Sequence, residues 1–167
     1  INQRITESDF YWLGSNVNLT GAAAGNAEGF KKSSLTQALT TINGVRVGLY
    51  SITTNIAIPE YATIDNDYLK VSKRHVKALR AQGAEVVIAV THLRMDEDQQ
   101  LLEQLGSEGP DVVFGGHEHN RQYVCVGKRC VIKADADIRS ATIASISVSP
   151  AGEVDVSHRY TLIKDST

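Results

Sequence analysis

What this sequence has little of already narrows what it can be. Aromatic residues make up only 6% of it, so a platform of stacked rings for single-stranded nucleic acid is not expected. Neither sign of charge dominates. Seventeen basic and nineteen acidic side chains leave a formal charge of -2, with no general pull toward nucleic acid or an anionic membrane surface. No apolar run approaches the length needed to cross a bilayer, and no signal peptide opens the chain at Ile1. A first residue other than Met points instead to sequence removed upstream. Two cysteines are too few for a disulfide framework. No repeat and no linker divides the 167 residues, so a single α/β domain over 1–167 is expected, with a sizeable core.

What is present is concentrated between Ala84 and Asn120. Val86 to Val90 is an apolar, β-branched run, followed closely by His92, and Asp111 to Phe114 is a shorter one that empties into Gly115-Gly116-His117-Glu118-His119. Between them, Asp96 to Leu105 has helical spacing, with Leu101, Leu102 and Leu105 on one face. Asp96 and Gln99 read as a capping pair. A strand, crossover helix and strand wind right-handed, which leaves the strands parallel and their carboxyl ends on one sheet edge. His92 would therefore meet His117 and His119 there. If the chain stays extended, His117 and His119 face the same way, roughly 6.5–7 Å apart at the backbone. Such a pair can hold one metal ion or give one ligand to each of two. The glycines at 115 and 116 would leave room for an ion, a phosphate or another loop. The plainer alternative is a turn with two solvent-exposed histidines.

The run VIAVTH, followed some residues later by GGHEH, resembles the last two metal boxes of calcineurin-like metallophosphoesterases, in the 5'-nucleotidase branch. Trp12 to Val17, the hairpin at Ile42 to Thr53 and Val131 to Ile138 extend the resemblance over most of the chain. It implies half of an α/β/β/α sandwich, with a parallel βαβ unit followed by antiparallel strands. It also implies a two-metal phosphoester hydrolase acting on phosphate esters or nucleotides. His92 and His117 would serve one divalent ion and His119 the other, with Zn, Mn, Fe, Co or Ni all suited to imidazole. Gly115, Gly116, Asn120, Asp137 and Arg139 would contact substrate or support the ligands, with Asp137 and Arg139 paired to each other.

The family's D-x-H, G-D-x-x-D and G-N-H-[DE] boxes are missing. Asp9, Asp65, Asp67, Asp96, Asp98 and Asp111 all lack the required flanks. The chain therefore reads as the carboxyl half of a catalytic domain, without its amino half and with no catalytic residue of its own, and inactive alone. Two alternatives remain, a non-catalytic binding module that kept the fold and a histidine site for a single metal ion.

Elsewhere, Ile1 to Asp9 reads as a loop or helix end, and Phe10 to Val17 as a strand with Trp12 in the core. Asn18-Leu19-Thr20 fits the glycosylation acceptor pattern, and Gly21 to Gly29 reads as a loop with no phosphate-cradle context. Asn43-Gly44 signals a hairpin between Ser34–Ile42 and Val45–Ile52. Asp65 or Asp67 caps a helix running to about Gln82, with Leu69, Val76 and Leu79 inward and His75 exposed among basic residues. After the histidines the pattern is all antiparallel strand, with His158 at an edge position. Cys125 and Cys130 flank a short Gly-containing connection. They are either a disulfide across a hairpin, which argues for an extracytoplasmic setting, or two strand thiols. A tetrahedral zinc site fits that spacing poorly.

Overall fold

Two β-branched runs at the centre of the sequence, too apolar to face water on either side, become the middle of a sheet. In a computed structural model, which describes residues 2–19 and 34–163, β7 (Val86–His92) and β8 (Val112–Gly115) pair in parallel, with Ile88 opposite Val112 and Thr91 opposite Gly115. The helix between them, α3 (Met95–Glu103), buries Leu101 and Leu102, as its spacing predicts. Its cap differs from the expected Asp96–Gln99 pair. Arg94 is the N-cap, and the Glu97 carboxylate three positions on accepts from the Arg94 N–H at 3.0 Å, the reach a capping box requires.

The sheet has six strands in the order β4 (Gln37–Ile42), β5 (Val45–Thr53), β7, β8, β10 (Arg129–Lys133) and β9 (Gln122–Val126). Strands β4 and β5 form the hairpin predicted at Asn43-Gly44, whose φ angles are 50° and 84°. Strand β5 then pairs in parallel with β7, which sets Thr53 beside His92. At the other side β9 and β10 are antiparallel, as expected, but β10 also pairs in parallel with β8. That pairing was not expected. It makes β10 an inner strand, and the hairpin turns back to leave β9 at the edge.

One face of the sheet is covered by α2 (Tyr68–Ala81) and α3, around Tyr50, Ile52, Val87, Val113 and Val131. On the other face Val47, Ile88 and Val112 meet Ile146 and Val156 of the hairpin β11 (Ser140–Val148) and β12 (Val154–Leu162). Helix, sheet and second sheet give the layered α/β arrangement, with the parallel unit preceding the antiparallel strands. Asp67 caps α2 through Lys70 N–H at 3.0 Å, and Gly83 ends it at φ 88°. The α2 stripe differs from the three residues expected: Val76 and Leu79 are buried and Leu69 only partly, while Val71, Ser72 and His75 are buried as well. His75, expected at the surface, lies four residues from both Val71 and Leu79. It stacks on Tyr50, and its Nδ1 is 2.8 Å from Gln37 Oε1. Desolvation and the adjacent Arg74 charge lower its pKa, which suits a neutral ring in that position.

The amino-terminal region is less regular than predicted. A short helix, α1 (Asn2–Glu7), leads to β1 (Trp12–Leu13) and β2 (Val17–Leu19) where one strand was expected, with Phe10 and Tyr11 exposed. Strand β3 (Ser34–Leu35) pairs with β1, and β6 (Ala62–Ile64) with β2. Trp12 is half-buried and donates its indole N–H to Ser8 Oγ at 3.0 Å. The Gly21 to Gly29 segment lies outside the described residues, as does Thr20 of the acceptor triplet. Cys125 and Cys130 stand opposite each other across the β9–β10 hairpin and are joined as a disulfide. Among the described residues, no helix is long and apolar enough to cross a membrane.

Candidate metal centre

The carboxyl ends of β5, β7 and β8 share one edge, and local hydrogen bonds fix what projects from it. The Thr54 N–H donates to the His92 carbonyl at 3.1 Å, and the Gly116 N–H to the Thr91 carbonyl at 3.0 Å. Asn16, which is buried, closes the same edge by gripping Thr53. Its Nδ2 donates to the Thr53 carbonyl at 2.8 Å, and its Oδ1 accepts from the Thr53 N–H at 3.0 Å. On this frame His92 and His117 come together, with ring centroids 5.1 Å apart and planes at 88°.

His119 is not brought into that group. The expected extended run does not form, because His117 and His119 have φ angles of 88° and 59°. Left-handed backbone at two non-glycine residues curls the loop, so the alternation of a strand does not apply. His119 and Asn120 are exposed, and Asn120 Oδ1 accepts from Gln122 Nε2 at 2.8 Å. The expected Asp137–Arg139 pair is also not found. Arg139 donates instead to the carbonyls of Ala136 at 3.1 Å and His119 at 3.4 Å. Asp137, at φ 57°, lies in a turn, and the ion pair nearby is Arg121 with Asp135 at 3.2 Å. His158, expected at an edge, packs against the rings of Tyr123 and Tyr160.

A buried charge cluster beneath the histidines was missed in the sequence. Lys133 is 1% exposed, and its ammonium lies 2.8 Å from Asp98 Oδ2, 2.7 Å from Glu118 Oε2 and 2.7 Å from the Leu93 carbonyl. This cluster also explains Gly115, which does not simply leave room for an ion. A Cβ there would sit 2.7 Å from Lys133 Cε and 2.8 Å from Asp98 Oδ2. Gly116 does face the site, since its Cβ would lie 3.5 Å from His92 Nδ1. Gly115→Ala is expected to destabilise the chain by about 1–3 kcal/mol, the usual range for overpacking. Gly116→Ala should unfold close to the unmodified chain, and urea midpoints check both. The sequence signal for Lys133 was a charge closing the apolar run Cys130 to Ile132. A lysine there, on a strand covered on both faces, requires partners.

The donor set fits a divalent ion in part. Two imidazoles at 5.1 Å can share one ion, given metal–nitrogen bonds of about 2.0–2.1 Å. Desolvation lowers the pKa of His92, and the charges of His117, Lys133 and His119 add to this, which favours the neutral form that binds metal. Glu118 is turned away toward Lys133. Among the described residues, no three His, Cys, Asp or Glu side chains are grouped closely enough to hold an ion.

The chain shares its layered fold with solved 5'-nucleotidases. In particular, 99% of it superposes on a Staphylococcus aureus protein assigned as a 5'-nucleotidase, with a TM-score of 0.77 and 14% identity. It also superposes over 97% of its length on the NAD nucleotidase of Haemophilus influenzae, at TM-score 0.73 and 13% identity. At those identities the likeness is one of fold. The chain spans 35% and 37% of those two proteins. In sequence it is 29% identical over 87 residues to an apyrase from Aedes albopictus, a match covering 50% of this chain and 15% of the apyrase. No family model matches it.

Proposed function

We propose that the chain is the part of a 5'-nucleotidase-like, metal-dependent phosphoester hydrolase that carries its T-H and G-G-H-x-H boxes. These are Thr91-His92 and Gly115-Gly116-His117-Glu118-His119. The observation behind this reading is the approach of His92 and His117 at adjacent parallel strand ends. The fold shared with solved nucleotidases and the apyrase likeness support it. Residues 1–167 are then one incomplete domain, completed by an amino-terminal half that brings the carboxylate ligands.

His92 and His117 would hold one divalent ion, and His119 would face a second. Two such ions supply a hydroxide near neutral pH and offset charge on the phosphoryl oxygens. The chain's own contribution is placement: neutral imidazoles on a rigid sheet edge, next to a glycine that leaves the approach open. Glu118 accepts from Lys133 Nζ and the Met95 N–H, so it takes no part as an acid or base. The substrate is a phosphate ester, with nucleotides the first class to test. The disulfide supports an extracytoplasmic setting. A binding module that kept the fold is the second reading, favoured by the lack of a three-donor group among the described residues.

The chain alone should show no turnover of p-nitrophenyl phosphate or AMP with Mn²⁺ beyond that of the metal itself. Extended with the residues encoded upstream of Ile1, it should hydrolyse them and lose that activity on His117→Ala. An inactive extended protein would leave the binding-module reading standing.

A further inference from the structure

Lys133 touches neither histidine ring in any hydrogen bond, yet it is joined to both segments that carry them. An ammonium has three N–H donors, and here three acceptors surround it, supplied by three parts of the chain. Asp98 comes from α3, Glu118 from between His117 and His119, and the Leu93 carbonyl directly follows His92. Both carboxylate oxygens of Glu118 are engaged, Oε2 by Lys133 and Oε1 by the Met95 N–H at the start of α3. The side chain is therefore pinned toward the helix. With positive φ on either side of it, the loop has to present its histidines away from that anchor.

Such a cluster is a poor device for stability. Desolvating an ammonium and a carboxylate costs several kcal/mol, and apolar side chains of the same volume would serve as well. What the hydrogen bonds of Lys133 to the Leu93 carbonyl and Glu118 supply is a single arrangement of the two segments. The bond to Leu93 fixes the end of the His92 strand, and the bond to Glu118 fixes the loop. The distance between the two histidines is thus measured from one atom, Lys133 Nζ.

We propose that Lys133 is a positioning residue of the histidine site, acting through Glu118 and the Leu93 carbonyl to set the placement of His117 relative to His92. The placement stands on the geometry alone. Its consequence for metal affinity rests on the function proposed above.

The test uses the full chain and the variants Glu118→Leu, Glu118→Gln and Lys133→Met. Leu removes both acceptors, whereas Gln keeps a neutral one. Two readouts are followed, NMR cross-relaxation between the His92 and His117 ring protons and titration with Co²⁺ by its visible absorption. In Glu118→Leu and Lys133→Met the cross-peak should be lost and Co²⁺ affinity should fall about 10–100-fold, as for outer-shell partners of metal ligands. Glu118→Gln should recover most of both. An unchanged cross-peak in Glu118→Leu overturns the proposal. If the unmodified chain takes up no Co²⁺, the metal reading fails while the cross-peak still decides the placement. If Lys133→Met does not fold, the Glu118 variants decide it.

Discussion

Replacing Lys133 by Met is expected to lower the unfolding free energy by about 3–5 kcal/mol near neutral pH, the range for breaking a buried ion pair on one side. For a chain of this size that is a fall in Tm on the order of 10 °C. The loss comes from what is left behind. Asp98 is 0% exposed, and without Lys133 its carboxylate has no cation within reach. Glu118 is 20% exposed and can turn to solvent, so its share is smaller. The pH dependence separates this cause from simple loss of packing. Burial pushes the Asp98 carboxyl up to about 6, with Lys133 and the Thr91 hydroxyl pulling it back. A raised carboxyl binds a proton in the folded state that the unfolded chain has released. Its contribution to stability therefore falls as pH rises from about 4 through about 6. Removing Lys133 pushes the carboxyl higher still, so the variant's deficit should be full at about pH 8 and shrink toward about pH 5, where Asp98 is neutral. Equal Tm differences at those two pH values would assign the effect to packing instead.

The parallel pair and its helix were legible because they are written locally. Val86 to Val90 and Asp111 to Phe114 are apolar runs, and Leu101 and Leu102 mark the helix between them. Handedness then placed His92 and His117 on one edge, as found. What the sequence did not disclose depends on residues distant along the chain. Lys133 and Asp98 are 35 positions apart, and they meet only because β10 lies against β8 in parallel. No local pattern announces that pairing. Gly115 was therefore credited to an ion, a phosphate or another loop when a buried lysine needs the space. The loop conformation was hidden for another reason. Left-handed φ is uncommon for a non-glycine residue, and at His117 and His119 it is held by contacts from outside the loop, those of Glu118 with Met95 and Lys133 and that of Arg139 with the His119 carbonyl. His75 shows the same blindness on a smaller scale, as its charged neighbours masked a place on the buried stripe.

The curled loop leads to an unequal outcome among the three histidines. His92→Ala and His117→Ala are each expected to reduce the affinity of the chain for Zn²⁺ or Co²⁺ by about 100-fold or more, beyond the 10–100-fold that outer-shell changes cost. His119→Ala should leave it within a few-fold. Two rings 5.1 Å apart can take one ion together, and either alone is a single monodentate ligand with little to hold it. His119 stands outside the paired rings and is exposed, at φ 59°. Among the described residues, no group of three donors forms around it. Calorimetric titration should accordingly find about one ion per chain, with affinity that weakens on acidification because protons compete with the ion for ring nitrogen. Equal losses in all three variants would mean that the loop recloses around one ion held by three rings. Unchanged binding in all three would remove the histidines from metal chemistry and leave the strand-end pair as a packing contact.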